Sequence, residues 1–308
     1  MLACLLAGCC LSPSPGTHPN IPDESPGING IVRTLLSVFD QVGVVALGED
    51  HESKGDSDVR IALIRHPDFA KKVHAVVVEF ASASEQSTLD RYVRGEPVSK
   101  SQLERIWKTT AQPEAWTSPV YLQFLSAVRE VNSKLPVNAR IRVFGGDDFG
   151  SHANQNRDQA AVSIIKEQAL KKRGKCLVIY GATHFYRAYG DVDDILNESG
   201  GDITMRLEKE YPGRTFVVHP FGGPLTHPAL TGHDPADYGK WERALKTKVR
   251  PVLVTLWRSP FRTFTAEEFI GRRMLTGRGG HGFVSVFKGS SLTLSQLADA
   301  GLYFGPTK

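Results

Sequence analysis

Two histidines and two glutamates stand where apolar runs give way to polar residues, and their types are those of water-activating chemistry. In VVALGEDHESKGD (44–56) the run delivers Glu49 and His51; in VHAVVVEF (73–80) Glu79 follows Val76, Val77 and Val78; in KCLVIYGATH (175–184) the segment closes on His184. An imidazole oriented by a carboxylate can act as general base towards water. Two imidazoles with carboxylates can instead hold a divalent cation that activates water. On the second route His51, Glu79 and His184 are the candidate ligands for Mn, Co or Zn, whereas the first needs no cofactor. Both end in hydrolysis of a small-molecule or peptide substrate. Glu79, wedged between Val78 and Phe80, is expected to be partly buried and therefore to need a partner. Asp147 and Asp148 follow IRVFGG and are read either as secondary site residues or as caps of a helix beginning near His152. Glu52, Asp56 and Asp58 read as first-turn helix charges.

These groups need elements that bring them to one place. Continuous apolar runs recur at 42–48, 73–80, 139–146, 175–181, 214–221 and 250–257, with a last candidate at 282–289. Unbroken rather than alternating apolar character implies burial on both faces. Segments with helical spacing lie between them, among them INGIVRTLLSVFDQV, SDVRIALIRHPDF, SPVYLQFLSAVREVN and HANQNRDQAAVSIIKEQALKKRG. The pattern predicts an α/β fold with a mainly parallel central sheet flanked by helices. In such a sheet the site lies in a cleft at the carboxyl ends of the strands, where each polar group falls. Glycine ahead of each histidine permits a sharp turn and close backbone approach there.

At 308 residues with 41% hydrophobic and 23% charged residues, the chain can bury a large core. Its net charge of +4 is spread along the sequence, which speaks against a nucleic-acid partner. Three of the four cysteines fall in the first ten residues, so no disulfide framework is expected. Leu6-Ala7-Gly8-Cys9 resembles a lipobox, with Cys9 the lipidated residue, although no Lys or Arg precedes it. The expected organisation is a lipoprotein-type signal segment (1–9), a flexible tether (10–28) and one α/β domain (29–308). It places the protein in the bacterial cell envelope, held to the membrane by a lipid anchor.

Gly48-x-x-His51, Glu79 and Gly181-x-x-His184, in that order, resemble the signature of the erythromycin esterase, ChaN and Tiki/TraB superfamily, and LDRYVRG (89–95) is similar to a stretch of its esterase-like members. The resemblance implies that Glu49, His51, Glu79 and His184 take the active-site places. His51 would be base or metal ligand, Glu49 its orienter, Glu79 a metal or water holder, and His184 a ligand or oxyanion stabiliser. The Glu49-x-His51 spacing looks closer to the ChaN and Tiki branches than to the esterases. The ChaN branch implies an alternative, haem binding without turnover, for which Tyr180, His184 and Tyr186 are the candidate ligands. His219, His227, His233 and His281 lie in later segments to which no role is assigned.

Overall fold

A strand without a polar face must be covered on both sides, and this sheet is. The computed structural model describes residues 18–147, 157–188, 202–222, 238–270, 273–277, 280–284, 287 and 289–306. Its strands are β1 (Glu24–Pro26), β2 (Val44–Glu49), β3 (Ala75–Ser82), β4 (Arg142–Asp147), β5 (Cys176–Gly181), β6 (Thr215–Phe221), β7 (Val252–Thr255), β8 (Arg273–Gly277), β9 (Gly280–Val284) and β10 (Ala300–Tyr303). Eight of them form one sheet in the order β1-β7-β10-β6-β2-β5-β3-β4. From β10 to β4 every pairing is parallel, whereas β7 runs antiparallel to both β10 and β1.

Each central strand feeds two apolar layers. Val45 and Leu47 of β2 join Leu177 and Ile179 of β5 in one; Val44 and Ala46 join Val178 and Tyr180 in the other. Helices α1 (Gly27–Val38), α2 (Lys54–Arg65), α3 (Phe69–Lys72), α4 (Gln86–Val93), α5 (Lys100–Lys108) and α6 (Pro119–Asn132) belong to the first layer. Helix α7 (Arg157–Gln168) and the helices Ile203–Glu210 and Tyr238–Ala244 belong to the second. The helix starts follow local chemistry. Ser53 accepts from the Asp56 amide to cap α2, Ser99 and Gln102 form a capping box on α5, and Pro119 opens α6 after Ser118.

Three features lie beyond the sequence reading. The segment around 282–289 does not extend the sheet; β9 pairs with β8 in a separate two-stranded ribbon. The strand in 250–257 enters antiparallel. The chain also joins the body before residue 29. Ile21 is buried, His18 stacks on Trp257 with ring centroids 4.3 Å apart, and Glu24 accepts from the amides of Lys246 and Thr247. Pro26 suits the sheet edge, where no donor is required of it. The signal segment, with Cys9, lies outside the described residues.

The paired glycines of β4 are explained by their neighbours. A methyl group on Gly146 would lie 1.8 Å from the Tyr180 hydroxyl, and one on Gly145 would lie 2.5 Å from the Ser82 carbonyl oxygen. Gly146→Ala is therefore expected to destabilise the fold by about 1–3 kcal/mol in urea unfolding, as overpacking does. Among the described residues the buried Tyr180 hydroxyl has no hydrogen-bond partner. Tyr180→Phe alone should leave stability unchanged or raise it, and it should soften the cost of Gly146→Ala.

Candidate active site

The end of β2 is built around a buried charge. Glu49 Oε2 accepts from the guanidinium of Arg60, and Oε1 accepts from His51 Nδ1 at 3.0 Å and from the Tyr121 hydroxyl at 3.4 Å. Arg60 comes from α2, is only 1% exposed, and lies over the rings of Phe80, Tyr121 and Phe124. Burial would raise the Glu49 carboxyl, but Arg60 and His51 outweigh it and hold Glu49 below the usual carboxylate range. For His51 burial pulls the other way, and the carboxylates Glu49 and Glu79 outweigh it, so its pKa is raised above 6.5. A carboxylate only accepts, so Nδ1 carries the hydrogen. The neutral ring therefore has its lone pair on Nε2. Trp116 meets the imidazole edge-on, ring centroids 4.7 Å apart.

The loop that aims His51 is held at successive positions. The Asp50 amide donates to Asp56 Oδ2 (3.0 Å), the Glu52 amide to the Tyr121 hydroxyl (2.9 Å), and Thr117 Oγ1 to the Glu52 carboxyl (2.9 Å). These contacts sustain a left-handed Glu52, φ 65°, a conformation that costs on the order of 1–3 kcal/mol outside glycine. Asp56, expected to be only a first-turn charge, is buried, with Oδ1 lacking a hydrogen-bond partner.

A second cluster forms where β3, β4 and β5 end. Glu79 lies where the register of β3 against β4 shifts, between Val78 and Ser82, an irregularity of the kind that re-aims side chains. Its Oε1 accepts from Arg157 Nη2 (2.8 Å) and faces His184 Nε2 at 3.3 Å, and its Oε2 accepts from the Gly181 amide (2.8 Å). His184 Nδ1 lies 2.7 Å from Asp158 Oδ1. Both ring nitrogens of His184 thus face carboxylate oxygens, which requires the imidazolium. Although burial would lower it, Asp158 and Glu79 hold the His184 pKa well above 6.5. Burial would likewise raise Glu79, but His184, His51 and Arg157 hold it far below the usual range. Arg157 forks onto Asp147 through Nε (3.1 Å) and Nη2 (2.9 Å).

The two glycine-histidine motifs fit into one another. A methyl group on Gly181 would lie 3.0 Å from His51 Cε1 and 3.1 Å from Nε2; one on Gly48 would lie 3.0 Å from the Ala182 methyl and 2.9 Å from the Val218 carbonyl oxygen. Neither glycine has a positive φ. Space, rather than an unusual turn, is what they supply.

Glu49, His51, Glu79 and His184 therefore come together, and His51 and His184 interact electrostatically with each other and with Glu79. Asp147 joins them through Arg157, while Asp148 lies outside the described residues, as do His227 and His233. His281 is on β9, away from the main sheet, and His219 is buried against Tyr186. Five participants escaped the sequence reading: Arg60, Tyr121, Trp116, Arg157 and Asp158. The isolated Arg60 on the apolar face of α2, one turn after Asp56, was the available signal.

The expected metal ligands do not fit that role in this arrangement. Both Glu79 oxygens already receive N–H donors, Arg157 brings a guanidinium against them, and His184 has no lone pair left to give. Among the described residues no group of three or more His, Cys, Asp or Glu side chains is disposed to hold a metal ion. The haem ligands fit no better. Tyr180 is buried in the second apolar layer, His184 is committed at both nitrogens, and the buried Tyr186 hydroxyl pairs with His219 Nε2 at 3.3 Å.

Residues 35–140 match the family described as haem-binding uptake, Tiki superfamily, ChaN. The matched span holds Glu49, His51, Arg60, Glu79, Trp116 and Tyr121; His184 lies beyond it. Solved structures extend the likeness of fold over nearly the whole chain. A Bacillus cereus protein is 13% identical and covers 95% of this chain and 94% of its own, with a TM-score of 0.55. A succinoglycan biosynthesis protein is 10% identical (92% and 95%, TM-score 0.59), and the erythromycin esterase EreC in its open conformation is 11% identical (90% and 93%, TM-score 0.53). No curated protein sequence matches the chain significantly.

Within the matched span, Asp56 gives a direct test of the electrostatics. Burial raises its pKa to about 8. A carboxyl raised in the fold contributes stability that is complete below its unfolded value of 3.8 and lost as pH climbs through about 8. Asp56→Asn keeps an acceptor for the Asp50 amide without the charge. It is expected to stabilise the protein at pH 8 by on the order of 1–3 kcal/mol and to flatten the decline in melting temperature between pH 5 and 8, read by calorimetry.

Proposed function

We propose that the chain is a hydrolase in which His51 is the general base that activates water for attack on an ester or amide carbonyl. The observation that carries this reading is the Glu49 and His51 pair. The carboxylate is buried, anchored by Arg60, and hydrogen-bonded to Nδ1, which fixes Nε2 as the proton acceptor. Charge supports it. The carboxylates Glu49 and Glu79 favour a proton on His51 against the cost of its burial, which makes the ring a stronger base. His184, already protonated, keeps Glu79 anionic rather than sharing the work of the base. The substrate is a small-molecule ester, a lactone or a peptide, and the lipobox-like Cys9 supports an envelope-anchored site for the reaction.

The test is the pH dependence of kcat/KM across a panel of simple aryl esters and peptides. Because the His51 pKa is raised, activity should climb with pH as the ring loses its proton, with a midpoint above 6.5. Glu49→Gln should lower that midpoint. His51→Ala should reduce kcat/KM by about 10²–10⁴-fold with the circular dichroism spectrum intact. An unchanged rate and profile in His51→Ala would refute the assignment.

A second reading, haem binding, is favoured by the description of the family matched by residues 35–140. It requires Tyr180, His184 or Tyr186 to leave their present partners. Haem titration decides it: a Soret band lost in His184→Ala supports haem uptake, and the expected outcome is no band that depends on His184.

A further inference from the structure

Attack of water on a carbonyl creates an oxyanion, and base catalysis at His51 leaves open which group stabilises it. Most donors around the site are spoken for. His184 is committed at Nδ1 to Asp158 and at Nε2 to Glu79, and the Gly181 amide is committed to Glu79 Oε2. The Tyr121 hydroxyl donates to Glu49 while accepting from the Glu52 amide. Arg60 and Tyr180 are each 1% exposed and sealed within the apolar layers.

Arg157 differs on both counts. Its side chain is 26% exposed, and only Nε and Nη2 are engaged, with Asp147 and Glu79. The two N–H groups of Nη1 have no partner among the described residues. We propose that Arg157, through Nη1, is the catalytic donor that stabilises this oxyanion, a role that rests on the hydrolase reading above. The guanidinium is already fixed by two carboxylates, so it needs no rearrangement when charge develops. As the water oxygen bonds to the carbonyl carbon, its proton passes to His51 Nε2 and the carbonyl π pair moves onto oxygen beside Nη1. Collapse reforms C=O, breaks the bond to the leaving group, and returns the proton from Nε2 to that alcohol or amine. Protonation of His51 adds a positive charge to the cluster as the oxyanion forms.

Ethyl methylphosphonate, a tetrahedral monoanion, mimics the intermediate, and ethyl acetate is its neutral control. Binding of each is measured by NMR titration for the wild type, Arg157→Lys and Arg157→Met, beside turnover of 4-nitrophenyl acetate. Lysine retains a cation for Glu79 and Asp147 but lacks the Nη1 donors, so Arg157→Lys should stay folded. It should nevertheless bind the phosphonate at least tenfold more weakly, lose kcat rather than KM, and leave ethyl acetate binding unchanged. Equal phosphonate binding by the wild type and Arg157→Lys, including none by either, overturns the assignment. So does an equal loss of both ligands. If phosphonate binding depends on Arg157 but the wild type turns over no ester, the hydrolase reading falls and the assignment with it. Arg157-independent binding beside normal turnover removes only the assignment.

Discussion

A carboxylate withdrawn from water at the end of a buried strand must either take up a proton or be met by cations and N–H donors, and two such groups, Glu49 and Glu79, govern this site. Glu49 draws Arg60 into the apolar layer between the sheet and helices α2 and α6, where the rings of Phe80, Tyr121 and Phe124 line the guanidinium. Glu79 draws Arg157 from the start of α7 on the opposite face. The helices that cover the sheet are thereby tied to its functional edge by charge as well as by apolar burial. Removing either arginine would strand a buried charge, a defect of about 3–5 kcal/mol in comparable pairs.

The same two carboxylates divide the histidines into different species. His51 meets Glu49 through Nδ1, so the proton it gains and loses with pH is the one on Nε2. His184 is clamped between Glu79 and Asp158, so neither of its protons can be released without leaving a carboxylate oxygen facing a lone pair. Identical residue types in matching motifs thus acquire different proton equilibria from their partners. Symmetry of sequence does not carry over to symmetry of charge here.

The fold was largely legible because its signal is local. Unbroken β-branched runs announce strands buried on both faces, and the helices between them carry their own caps at Ser53, Ser99 and Ser118. What escaped was held by distant partners. β1 and β10 are three and four residues long, too short for a periodic signal, and β7 resembles the parallel strands of the sheet in composition although its direction is reversed. In the site, the residues at strand ends could be read from position alone. Arg60, Tyr121, Arg157 and Asp158 sit on helices 11, 72, 78 and 26 positions from the groups they serve, where spacing in sequence carries no information about contact.

The glycines show how such long-range dependence enters a short motif. Gly48 admits Ala182 of the second motif, and Gly181 admits the His51 ring of the first. Strands β2 and β5 are hydrogen-bonded neighbours in register from Val44 and Cys176 to Glu49 and Gly181, so each turn leaves the sheet directly against the other. A side chain at either position would push the opposing turn outward by a few tenths of an ångström or more. Hydrogen bonds to the Glu49 and Glu79 carboxylates tolerate little such displacement before they lengthen and lose strength. The small residue ahead of each histidine is therefore a condition on the other motif's geometry.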